Sequence, residues 1–171
     1  FCHNNHSGEA QMTRTLLIAG FAISTVLSGL AQSSSTTGDR LLKQYLIIHE
    51  SLASDSLKGI DAAAAEIRKI SRQAAAADQK NRSRLLALSD AARLSSADLK
   101  SARNEFGELS EKLIAYWKAA EVKTTPPYQI YCSMVKKNWL QMEKTPKNPY
   151  YGKEMSRCGE VVALGKAAET R

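Results

Sequence analysis

Five sulfur-bearing side chains fall in one stretch of the chain: Cys132, Met134, Met142, Met155 and Cys158. Thiolate and thioether sulfurs are soft donors, and soft donors select Cu(I) and, by the same preference, Ag(I). In an extended segment Cys132-x-Met134 places both side chains on one face. Met155-x-x-Cys158 does the same on one helical turn. Two such pairs could close a small sulfur cage, and Trp139 could add a cation–π contact to a monovalent ion held there. Hard cations need clustered oxygen ligands, which this stretch hardly offers.

A second reading of the same residues stands beside the first. In an oxidising compartment Cys132 and Cys158 can form a disulfide, worth ~3–4 kcal/mol for a loop of this length. A small segment with little core of its own gains from such a staple. A redox-dependent exchange between disulfide and metal ligation joins the two. The methionines, taken singly, are ordinary core filler, and Trp139, Tyr150 and Tyr151 have the composition of a packing surface. Catalysis is not expected. There is no Cys-x-x-Cys, and His49 lies in a helical stripe far from Cys132 with no orienting motif around it.

The compartment follows from the start of the chain. Met12 is followed by Arg14, by an apolar run from Leu16 to Leu30, and by Gly29 and Ala31 at the −3 and −1 positions of a cleavage site. This is the three-part pattern of a secretory signal peptide over 12–31, with 1–11 as upstream residues. The run is shorter than the roughly 20 apolar residues of a membrane span, so no stable span is expected after cleavage. Export places the protein in the periplasm. The chain has 171 residues, 43% hydrophobic and 24% charged, with a formal net charge of +7. That composition excludes a disordered chain. Outside the cytoplasm the basic charge does not point to nucleic acid. Residues 122–171 hold nine basic and four acidic residues, so +5 of the charge sits there. Lys136, Lys137, Lys144, Lys147 and Lys153 could dock an acidic partner.

The elements that must position the sulfurs can be read from spacing. All four prolines lie beyond residue 125, which leaves 39–121 open to long helices. After a Ser/Thr-rich flexible leader at 32–38, apolar residues recur with helical spacing at Leu41, Tyr45, Ile48 and Leu52. Further stripes run Leu57, Ile60, Ala64, Ile67, Ile70, Ala74; then Leu85, Leu88, Ala92; then Leu99, Ala102, Phe106, Leu109, Leu113, Tyr116. Ser95 with Asp98 three residues later marks the expected start of the last helix. The spacing predicts a mainly α protein: an antiparallel four-helix bundle over 39–121 with a small irregular or β lobe, 122–171, packed on it. Strands are expected at Tyr128–Tyr131 and Val161–Leu164, with turns at Asn148-Pro149 and Tyr151-Gly152.

The stretch Tyr131-Cys132-Ser133-Met134 … Trp139-Leu140-Gln141 … Asn148-Pro149-Tyr150-Tyr151-Gly152-Lys153-Glu154-Met155 … Cys158-Gly159-Glu160-Val161 resembles the signature of a family of uncharacterised bacterial periplasmic domains. These occur alone or appended to CusB-type heavy-metal efflux adaptor subunits. Leu42-x-x-Tyr45-Leu46, Leu52-Ala53-x-Asp55 and Ala102-Arg103-x-x-Phe106 extend the resemblance over nearly all of 39–162. It implies an exported helical domain linked to copper or silver handling, without an established activity. The family's usual Cys-Pro-Met, often preceded by His, here has Ser133 in the Pro place and Tyr131 in the His place. That weakens the case for a nitrogen ligand and loosens the loop.

The expected function is therefore a soft-metal, Cu(I) or Ag(I), binding protein for sequestration or delivery to a heavy-metal efflux system. Its expected ligand set is Cys132, Met134, Met142, Met155 and Cys158, with Trp139. The alternative is a disulfide-stapled interaction module of an efflux assembly with no metal of its own.

Overall fold

The computed structural model describes residues 36–95, 97–120, 122 and 125–164. The upstream, signal-peptide and most of the leader assignments lie outside these residues. Four helices run α1 Thr37–Ala53, α2 Ile60–Ala77, α3 Arg82–Ala91 and α4 Leu99–Ala119, followed by three strands, β1 Tyr128–Cys132, β2 Lys137–Gln141 and β3 Glu160–Val162.

α1 begins inside the expected leader. The Thr36 hydroxyl accepts from Asp39 N–H at 3.2 Å, and the Asp39 carboxylate accepts from Thr36 N–H at 3.0 Å. This reciprocal cap, with an acid three residues on, starts the helix. α4 likewise starts at Asp98, whose side chain accepts from Ser101 N–H, and not at Ser95. The Ser95 N–H instead donates to the Glu105 carboxylate.

Most of the predicted stripe residues form the buried faces, although Leu57 lies in the link before α2. Leu41, Tyr45, Ile48 and Leu52 of α1 are fully buried, as are Ile60 and Ala64 of α2, Leu85 and Leu88 of α3, and Ala102, Phe106 and Leu109 of α4. α1 packs on α2, α2 on α3, α3 on α4, and α4 returns to α1. The fold is thus mainly helical, with four helices and a small antiparallel sheet of order β2-β1-β3.

β1 occurs where strand composition predicted it, one residue longer, and β3 overlaps the expected Val161–Leu164 strand only at Val161 and Val162. β2 was not anticipated, because Lys137-Asn138-Trp139-Leu140-Gln141 shows no alternation. Its last three residues are all buried, since β2 packs against both α4 and α1. The register pairs Ile130 with Trp139 and Cys132 with Lys137. β2 is a sheet edge, whose outward N–H groups need partners. The Leu140 N–H finds one in the Tyr45 hydroxyl of α1, at 3.1 Å.

Among the described residues no helix is long and apolar enough to cross a membrane.

Candidate functional site

Cys132 ends β1, and Cys158 sits two residues before β3, which pairs with β1 through Tyr131 and Glu160. The sheet therefore brings together two residues 26 positions apart, with their Sγ atoms 2.8 Å from each other. Cys132 is fully buried and Cys158 partly exposed. A recess of about 240 Å3 is lined by the chain neighbours of the pair, Tyr131, Ser133, Gly159 and Glu160, and by neither cysteine.

The loop that carries Cys158 is held by its own side chains. Asn148, fully buried, donates from Nδ2 to the Cys158 carbonyl at 2.8 Å. Its Oδ1 accepts from Tyr150 N–H and Tyr151 N–H, and its backbone N–H donates to the Ser156 carbonyl. An Asn side chain suits this position because it offers both donors and acceptors to a turn. Gly159 passes closely over the core: a Cβ there would stand 2.7 Å from both Ile130 Cγ2 and Trp139 Cη2.

A second hub is Gln141. Its Oε1 accepts from Trp139 Nε1 at 2.8 Å and from Lys147 N–H at 3.0 Å, while Nε2 donates to the Glu143 and Thr145 carbonyls. A third is Arg103 on α4. It donates from Nε to the Pro149 carbonyl at 2.9 Å and from its terminal nitrogen to the Leu52 carbonyl and the Asp55 carboxylate. This guanidinium holds the Asp55 carboxyl below the usual carboxylate range. It also clasps the end of α1, α4 and the Pro149–Lys153 turn together.

The expected sulfur set divides in space. Met134 lies in the β1–β2 turn; its backbone N–H donates to the Cys158 sulfur, and its side chain is 63% exposed. The Met155 carbonyl accepts from Cys158 N–H at 3.1 Å. The backbones of these two stay beside the cysteines. Met142 does not belong to the corner. It follows β2 at the end where Gln141 pairs with Tyr128, roughly 13 Å along the strand from the Cys132–Lys137 end. There it lines a groove with Leu42, Leu46 and Ile47. Trp139 is fully buried, its indole N–H on Gln141 and its ring edge-on to Tyr150 at 5.9 Å. Its place is core packing, in one cluster with Ile130, Leu140 and Tyr150.

The Cys158 thiol has a high proton affinity. The hydrogen bond to Cys132, then burial, pushes the Cys158 thiol up to about 11. Two thiolates sharing one ion at ~2.3 Å in tetrahedral geometry stand about 3.8 Å apart, so ligation requires the sulfurs to part and lose protons. Cys158 is the more exposed of the two. Among the described residues no group of three or more His, Cys, Asp or Glu could hold a metal ion.

Comparison of the chain with family models, curated proteins and solved structures finds no match.

The basic residues singled out as a docking stretch are dispersed. Lys147 lies between Glu50 at 3.3 Å and Glu143 at 3.0 Å. Lys137 lies over the Tyr150 ring and reaches the Asn104 carbonyl of α4. Lys136 occupies a left-handed position, φ 53°, in the β1–β2 turn. His49, expected on a core edge or surface, is fully buried, with Nε2 2.9 Å from the Lys147 carbonyl. The sequence signals that pointed to positioning residues were the Asn148-to-Gly152 turn and the Asp55 and Arg103 motifs. Gln141 stood in the Trp139-Leu140-Gln141 motif without a role, and nothing marked the hydroxyl of Tyr45.

Proposed function

We propose that this chain is an exported, non-enzymatic binding protein that holds one soft monovalent ion, Cu(I) or Ag(I), between reduced Cys132 and Cys158. The meeting of these two thiols at the sheet's open end carries the reading. Met134 and Met155 flank them and would complete the ligand set as neutral thioethers, and the four helices serve as a bundle-like scaffold. The ion's chemistry there is binding alone: sequestration, or hand-over to a heavy-metal efflux adaptor or transporter in the periplasm. The resemblance to domains appended to CusB-type adaptors supports that setting. Oxidation to a disulfide would remove both thiolates and give a closed, metal-free form.

A second reading, a disulfide-stapled interaction module without metal, is favoured by one observation: Cys132 is fully buried, as a structural staple would be. Thiol titration of the native protein with and without reductant, followed by competition against a Cu(I) chelator, separates the two. The first reading expects two thiols after mild reduction and one Cu(I) retained by wild type. The ion should be lost in Cys132→Ser with Cys158→Ser, and Cys132→Ser should weaken binding more than Met134→Leu or Met155→Leu. Equal affinity in wild type and the double variant sinks it. A disulfide that resists reduction until the protein unfolds establishes the second.

A further inference from the structure

The outer face of α1 carries a groove of about 820 Å3, lined by Asp39, Leu42, Lys43, Leu46, Ile47 and Glu50 of the helix and bordered by Thr125 and Met142. Ile47 is 42% and Met142 44% exposed, although both are large and apolar. Exposed apolar surface of this kind, rimmed by charge, marks an interaction site.

The residues along that face have a symmetry of their own. Lys43, Leu46, Ile47 and Glu50 follow one another at i, i+3, i+4 and i+7, one stripe of an α-helix. When two copies of α1 are laid antiparallel about a two-fold axis between Leu46 and Ile47, Lys43 of each copy faces Glu50 of the other. Leu46 then faces Ile47, and Leu42 faces Ser51. A parallel arrangement would set Lys43 against Lys43. The stripe is thus self-complementary in charge only for the two-fold antiparallel pairing, and an isologous two-fold contact is the commonest way for a soluble chain to associate.

We propose that the protein forms a homodimer through this face of α1, with Leu46, Ile47 and Met142 as the apolar centre and two Lys43–Glu50 pairs setting the orientation. The apolar centre supplies affinity, and the rim charges supply register. In the free chain Glu50 is bonded to Lys147, and Lys147 also to Glu143. Lys147 thus shares its charge between two carboxylates, and Glu50 keeps part of its own for the incoming lysine.

Sedimentation equilibrium of the purified protein at concentrations up to ~100 µM tests this, with helix content followed by circular dichroism. Wild type should sediment as a dimer. Ile47→Glu, at an exposed position that leaves the core intact, should give a monomer of unchanged helix content. Lys43→Glu should weaken association about tenfold, and Lys43→Glu combined with Glu50→Lys should restore it. A monomeric wild type overturns the proposal. So does association that survives Ile47→Glu, which would come from another surface, and so does a charge swap that fails to rescue.

Discussion

The Tyr45 hydroxyl on α1 accepts the Leu140 N–H of β2 at 3.1 Å and lies 2.7 Å from Ser110 Oγ of α4. Ser110 in turn donates to the Phe106 carbonyl, so Tyr45 donates to Ser110. One phenol thus satisfies the buried edge of the sheet and ties it to two helices. Burial raises the Tyr45 pKa strongly, so this donor stays protonated across any working pH. Tyr45→Phe should keep the ring's stacking on Phe106 at 4.9 Å but leave Leu140 N–H unpaired. The expected loss is about 1–3 kcal/mol, read as a lower urea midpoint at unchanged slope. Ser110→Ala, which leaves the Leu140 bond in place, should cost less.

Gly152 occupies a left-handed position, φ 57°, and a Cβ there would fall on the Asp55 carboxylate and the Arg103 guanidinium. Gly152→Ala should therefore destabilise the fold by on the order of 2 kcal/mol. In an Asp55→Ala background the same change should cost distinctly less, because the colliding oxygen is gone. Urea denaturation of the four-protein cycle measures the coupling.

His49 is buried with its pKa lowered by desolvation, only partly opposed by the Lys147 carbonyl and Glu50. The unfolded chain, at ~6.5, then takes up a proton before the folded one. Stability from neutral His49 is full above that value and declines as pH falls below it. Wild type should lose stability between about pH 7.5 and about pH 5.5, and His49→Gln, which cannot titrate, should lose less. Equal losses in the two proteins would place the pH dependence elsewhere.

The Cys158 thiol, pushed up to about 11, leaves only about one thiolate in a thousand at pH 8. Reduced protein should be alkylated slowly at Cys158, faster as pH rises. Metal binding must displace protons, so Cu(I) affinity should fall as pH drops. Proton release on adding Cu(I) in weak buffer gives the number displaced. Release of none would mean the thiols are not the ligands.

The helices were legible because their apolar residues recur at helical spacing, and that periodicity is local. Leu41, Tyr45, Ile48 and Leu52 were named as one face from spacing alone and are one buried face. The Asn148–Gly152 turn was legible for the same reason, since Asn, Pro and Gly act on their own backbone. The first cap was not: Thr36 was placed in a leader because a single Thr-x-x-Asp is indistinguishable from loop composition until the helix behind it is known.

What the sequence by itself determined is the periodicity of α1–α4, the two strand-like segments around the cysteines, and the crowding of soft donors into 132–158. Which donors meet was decided only by the tertiary structure. Met142 has the same chemistry as Met134, but antiparallel pairing of β1 with β2 carries it to the far end of the hairpin, while the pairing of β1 with β3 brings Cys158 to Cys132. Register is a non-local property, set by Trp139, Leu140 and Gln141 burying themselves against α1 and α4. A list of residue types cannot express it. The same holds for His49, whose ring meets a carbonyl 98 residues away, and for the groove on α1, which Thr125 and Met142 border.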